Sequence, residues 1–223
     1  MREGMMRRRI FEANASVFIL FAIILIFSGQ CGAQAEAESP YKRAQQLPWR
    51  TYPDVLNIQD IAVLNFDTGH KFLNPEATTN FLKISGNLPA EGNYTVVDKD
   101  LSWWPLFSYE ATGHVNDTEE LDSELILRDL KTNNVNSNTE RKKAGIPELT
   151  LEGWTVVPHY DSVTHNLEWG TRLTSEGTGT VNYTVRLLGR EGLVSAMLVS
   201  DPVQFDKDLT AFRSVLRGFV SIV

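Results

Sequence analysis

The sequence predicts an α+β protein: an antiparallel β-meander in the C-terminal half, packed by a C-terminal helix, with a smaller mixed part before it. Three observations carry this reading. Segments at Trp154–Tyr160, Leu167–Leu173, Val181–Leu188 and Leu193–Ser200 follow one another with strand character. The Gly-rich links "TSEGTGT" and "GREG" are short enough for hairpins. An amphipathic stretch, Asp206–Arg217, then brings Leu209, Phe212 and Leu216 to one side.

The strand periods assign faces. Leu167, Trp169, Thr171 and Leu173 share one side of their strand, with Glu168 and Arg172 on the other. Val181, Tyr183, Val185 and Leu187 oppose Asn182, Thr184 and Arg186. This alternation marks half-buried strands. Leu193–Val199 is apolar on both sides, which places it centrally or under a helix.

The earlier part is mixed. "IAVLNF" (Ile61–Phe66) reads as a strand, and a turn and second short strand follow to Leu73. Asn74, Pro75 and Gly86 punctuate a helix as N-cap, first position and stop. "NYTVV" and "SWWPLFSYEATGHV" read as strands, the second at an edge or a bulge because of Pro105. Asp117 and Glu120 have capping-box spacing for a helix carrying Leu121, Leu125, Ile126 and Leu130. A polar break of asparagines and serine precedes a short basic helix, "TERKKA", stopped by Gly145 and Pro147.

The N-terminus is an address. Arg2, Arg7, Arg8 and Arg9 precede the uncharged run Ala15–Phe27, and Ala33 and Ala35 offer a cut after residue 35. Residues 1–35 therefore read as a signal peptide, with an uncleaved N-terminal anchor as the alternative. The apolar run falls short of the roughly 20 residues a spanning helix needs. Gln30 before Cys31 disfavours a lipid-modified cysteine. Both readings export the rest of the chain, to the periplasm or to a membrane-anchored position facing it. Residues 36–55 read as a linker or loosely docked arm. Residues 56–223 read as one exported α+β domain, or as two subdomains meeting near 113–150.

Cleavage takes four of the 21 basic and two of the 28 acidic residues, leaving 17 and 26 and a formal charge of −9. That balance argues against nucleic acid and against a polybasic grip on anionic lipid. It also takes the one cysteine, so the remaining 188 residues have no disulfide and no thiolate chemistry.

The chain has no P-loop, no G-x-G-x-x-G, no G-x-S-x-G and no H-E-x-x-H. Its most polar stretch is "GWTVVPHYDSVTHNLEWG", residues 153–170. His159 and Asp161 are two apart and share a face on a strand, a pairing common beside metals. A zinc site needs three or four converging ligands, which His165 and Glu168 complete only if the loop folds back. The simpler reading is a hairpin loop, Asp161–Asn166, in which Asp, Ser and Asn serve the turn. His159, Asp161 and His165 are thus the candidate catalytic residues, and no cofactor or metal is expected. Arg190 and Glu191 read as a solvated turn, and the tryptophans as core or interface anchors. The N-x-T sequons at Asn93, Asn116 and Asn182 bear on function only in a glycosylating pathway.

The runs "TGHVNDTEELDSELILRDLK", "ERKKAGIPELTLEGWTVVPHYDSVTHNLEWG" and "VNYTVRLLGREG" resemble the exported, predicted membrane-anchored proteins grouped as domain of unknown function 2167. The resemblance runs from about Phe66 to Phe219 and is strongest from Gly113 onward. It implies an envelope protein and carries no activity with it. It also implies a C-terminal membrane segment beyond the last helix, where this sequence ends at "RGFVSIV". The functional expectation is a non-enzymatic binding or structural module of the cell envelope, its partner an unknown envelope protein or component. The alternative is a metal-dependent or acid/base enzyme centred on His159 and Asp161.

Overall fold

The computed structural model describes residues 38–113, 121–189 and 191–221. The signal-peptide residues, Ala33 and Ala35 among them, lie outside these, as do Arg190, Asn116 and the Asp117–Glu120 capping box. In chain order the elements are α1 (Pro40–Gln45), β1 (Arg50–Thr51), β2 (Leu56–Ile58), β3 (Ala62–Leu64), β4 (His70–Leu73), α2 (Pro75–Ile84), β5 (Tyr94–Asp98) and β6 (Trp104–Glu110). There follow α3 (Ser123–Lys143), β7 (Thr150–Asp161), β8 (Asn166–Ser175), β9 (Thr178–Leu188), β10 (Leu193–Ser200), α4 (Phe205–Leu216) and β11 (Phe219–Ser221). No helix among the described residues is long and apolar enough to cross a membrane.

Eight strands form one antiparallel sheet in the order β1-β4-β5-β6-β10-β9-β8-β7. The expected meander is its second half, and α4 packs on it. Phe205, Phe212 and Val215 of α4 meet Tyr183, Val185, Val194, Ala196 and Leu198 of the sheet. A small sheet, β11-β3-β2, fills the same layer and adds Leu56, Ile58, Ala62 and Leu64 to that core. The predicted "IAVLNF" strand therefore pairs with β11, far along the chain, on one side and with its sequence neighbour β2 on the other.

The opposite face is also covered, which the half-buried reading of the meander did not anticipate. There α2 packs Ala77, Phe81 and Leu82 against Leu73, Val97, Trp104, Leu106 and Val199. Asn74 caps α2 by accepting from the Ala77 N–H at 3.0 Å. The α3 helix packs Ile126 and Leu130 against Leu149, Leu151 and Leu173. Asn182, Thr184 and Arg186, expected on an open face, are buried on this side of the sheet. Arg186 is fully buried over the Trp169 ring, 5.4 Å from its centroid. Desolvation brings its pKa down to about 10, opposed by the charge of Glu110.

Four further expectations change for local reasons. Pro105 lies in a central strand, not at an edge. The β5–β6 ladder consists of Tyr94–Phe107 and Thr95–Leu106 and stops at Pro105, so the missing N–H falls where pairing ends. The polar break and the short basic helix are one continuous helix with the residues before them, capped by Asp122, which accepts from the Leu125 N–H at 3.0 Å. Its asparagines bond outward. Asn138 exchanges two hydrogen bonds with the Leu149 backbone at 2.7 and 2.9 Å, and Asn134 accepts from the Leu151 N–H at 3.2 Å. These contacts offset the low helix propensity of Asn. Leu125, assigned to the apolar side, is exposed instead. Residues 36–55, read as a linker, hold α1 and β1. Ala44 is buried there, and Trp49 packs edge-on to Phe81 while its indole N–H donates to the Ala44 carbonyl at 2.8 Å.

The fold makes two stability predictions. At Gly218, after α4, an added Cβ would sit 1.8 Å from the Asn65 carbonyl oxygen, whereas at Gly153 it meets nothing within 4 Å. Gly218→Ala should cost about 1–3 kcal/mol in urea unfolding, as overpacking does, while Gly153→Ala should stay within about 0.5 kcal/mol.

The second prediction concerns Asp208, which is buried and accepts a 2.6 Å hydrogen bond from Ser200. Burial pushes its carboxyl above the ordinary 3.8, and Asp98 and Asp201 add to this. A raised folded-state pKa favours folding below the ordinary value, and that contribution is lost as pH rises through the folded one. Asp208→Asn keeps an acceptor and does not titrate. Between pH about 4 and 7, unfolding curves should show the native chain losing stability relative to this variant.

Candidate functional site

The hairpin between β7 and β8 places the three sequence candidates. Strand β7 ends at Asp161 and β8 begins at Asn166, as the loop reading expects. The Asp161 carboxylate accepts from the N–H groups of Val163 and Thr164 at 2.8 and 3.2 Å, the local bonding typical of an Asx turn. Those two donors hold its pKa below the ordinary value. His165 closes the turn in the left-handed region, at φ +57°, and its N–H donates to the Asp161 carbonyl at 2.8 Å. Its Nδ1 lies 2.9 Å from the Tyr160 hydroxyl. His159 is exposed, with Nδ1 3.0 Å from the Val157 carbonyl. Asp161 and His165 thus serve the turn, while His159 bonds along its own strand. Among the described residues no three His, Cys, Asp or Glu side chains gather closely enough to hold a metal ion.

Glu168, the fourth polar residue of this stretch, departs most from its expected place. It is 5 % exposed, beneath α4. The face of β8 toward α4 reads Glu168, Gly170, Arg172, which is poor in apolar bulk. Tyr183 of the neighbouring strand fills the gap. Gly170 allows it, since a Cβ there would sit 3.3 Å from the Tyr183 ring and from Val156. The Tyr183 hydroxyl donates to Glu168. Arg213 of α4 closes the group, with Nη2 3.3 Å from both the Glu168 carboxylate and the Tyr183 oxygen. Burial raises the Tyr183 pKa to about 12, assisted by its bond to Glu168. The bond to Tyr183 in turn holds the Arg213 pKa above its usual value.

Glu168 and Arg213 line a cleft of about 490 Å³ between the β7–β8 turn and the end of α4, with Tyr183 buried behind them. Asp161, Thr164 and Asn166 form one rim, Arg213 and Arg217 the other, and Leu187, Leu216 and Phe219 the apolar walls. Arg217 donates to the Ser214 hydroxyl at 2.9 Å. The size is that of an ordinary ligand pocket, and the mixture of apolar walls with a few placed polar groups is what such pockets show. Of the sequence candidates only Asp161 reaches the cleft. Tyr183, Arg213 and Arg217 were not singled out. The available signal was a pair of arginines one turn apart at the end of an amphipathic helix, together with a charged residue on an inward strand position.

The network predicts a contrast. Tyr183→Phe removes the hydroxyl that serves a buried carboxylate and should cost about 1–3 kcal/mol in chemical unfolding. His159→Ala should fall within about 0.5 kcal/mol.

Comparison with known proteins adds a family. No curated protein matches this chain. Among solved structures, the solution structure of cyanobacterial PsbP (CyanoP) from Synechocystis sp. PCC 6803 is similar at a TM-score of 0.46 and 10 % identity, over 86 % of this chain and 98 % of that one. The model of the family described as Protein of unknown function (DUF2167) matches residues 51–220. That span takes in the meander, α4 and every residue of the cleft, and the chain belongs to this family.

Proposed function

We propose that this is an exported cell-envelope protein that works as a non-enzymatic binding module, with the cleft beside α4 as its recognition site. The observation that carries the reading is the state of the cleft's polar groups. Glu168, Tyr183 and Arg213 are bonded to one another. Tyr183, at a pKa of about 12, stays protonated at neutral pH. A network of mutually bonded groups makes a rigid floor for a bound partner, whereas acid/base work calls for a group that titrates near the working pH. The walls are apolar and the α4 rim is cationic, a combination suited to binding. Export follows from the arginines and apolar run at the N-terminus. The partner is an envelope protein segment, and the chain works in the periplasm or anchored at the membrane facing it.

The test is site-specific photocrosslinking in cells. A crosslinker at Leu216, in the cleft, should give a discrete adduct that weakens at least fivefold with Arg217→Ala. One at Val135, exposed on α3 across the sheet, should not give it. Equal adducts from both positions, or none from Leu216, would overturn the assignment of the site.

A further inference from the structure

We infer that the cleft recognises the free C-terminal carboxylate of an extended protein segment whose last side chain is apolar. This rests on the cleft being the recognition site and adds the chemistry of the ligand. Arg213 on α4 and Arg217 at its C-cap stand one turn apart, both exposed and both on the same rim. Arg213 spends Nη2 on Glu168 and Tyr183, and Arg217 spends Nη2 on Ser214. Their remaining N–H groups carry no hydrogen bond to the described residues. A guanidinium presents donors in a planar fork that matches a carboxylate, and the site already holds one guanidinium–carboxylate contact, through a single nitrogen of Arg213 to Glu168.

The charge balance limits the ligand. The two guanidiniums face two carboxylates, Glu168 on the floor and Asp161 on the far rim. The local charge is near zero in a chain whose exported part carries −9, obtained by removing four Arg and two Glu from the full count. Such a site accepts one negative charge placed against the arginines and opposes a second, which favours a carboxylate over a phosphate dianion. Leu187, Leu216 and Phe219 supply an apolar wall for one side chain. On the opposite rim the Thr164 hydroxyl and Asn166 amide offer partners for peptide groups. Carboxylate capture of this kind is a known mode of peptide recognition.

The experiment titrates the full-length protein with a short peptide ending in valine-leucine, as the free acid and as the amide. Calorimetry should show the free acid binding at least tenfold more tightly than the amide. Arg217→Gln, an exposed position that leaves the core untouched, should remove that difference, while Lys131→Gln on α3 should not. Equal binding of acid and amide, no binding of either at millimolar concentration, or displacement by acetate, inorganic phosphate or laurate as effective as the peptide would each overturn the inference. Cleft-specific crosslinks alongside any of those results would leave the binding module standing and remove only its ligand class. Loss of the crosslinks would remove both.

Discussion

Strands β6, β10 and β9 are covered on both faces, by α4 and the small sheet on one side and by helices on the other. Every side chain on these strands therefore points into protein, whatever its chemistry. The apolar ones form the two principal cores. The polar ones must find partners inside, because an isolated buried charge is too costly to keep. Glu110 and Arg186 answer this on one face, on strands separated by β10, each the other's favourable charge. Glu168, Tyr183 and Arg213 answer it on the other.

The same constraint explains how the edges are managed. Strand β7 is the long outer strand, and its pairing with β8 is broken by three register shifts. Such bulges bend an edge and interrupt the regular ladder that another chain could extend. Asn138 and Asn134 of α3 take the backbone at Leu149, just before β7, and at Leu151 within it, so the helix is fixed to that edge by hydrogen bonds as well as by Ile126 and Leu130. At the other end β1 is only two residues long. A short edge strand offers little to pair with.

The cleft is a by-product of these solutions. The α4-facing side of β8 lacks apolar bulk, so α4 meets it through Arg213 rather than through a leucine. The helix end is then held by an ion pair with one exposed partner, and Arg217 and Leu216 of the next turn are left at the rim. A surface-exposed ion pair contributes little by itself. Here the carboxylate is buried and doubly bonded, which fixes the floor while leaving the guanidinium rim open to solvent. Rigidity below and donors above would lower the entropic cost of the recognition proposed for the cleft.

The sequence by itself determined what depends on neighbours a few residues apart. The meander, its hairpin links, the capped α2 and the C-terminal helix were all legible, because period, capping and turn chemistry are local. So was the loop character of Asp161 to Asn166, since Asx turns are built from adjacent backbone. The motif runs also marked the family. Only the tertiary structure decided which faces see water. Asn182, Thr184 and Arg186 alternate like a solvent face, yet all three are buried in the packed chain. Glu168 reads as exposed for the same reason and becomes the floor of the site. The asparagines of α3 read as a break because their compensating bonds go to a strand that follows the helix. Burial and long-range hydrogen bonds are properties of the packed chain. They gather a carboxylate, a tyrosine and two arginines from distant parts of the chain, while the two histidines of the hairpin stay outside the cleft.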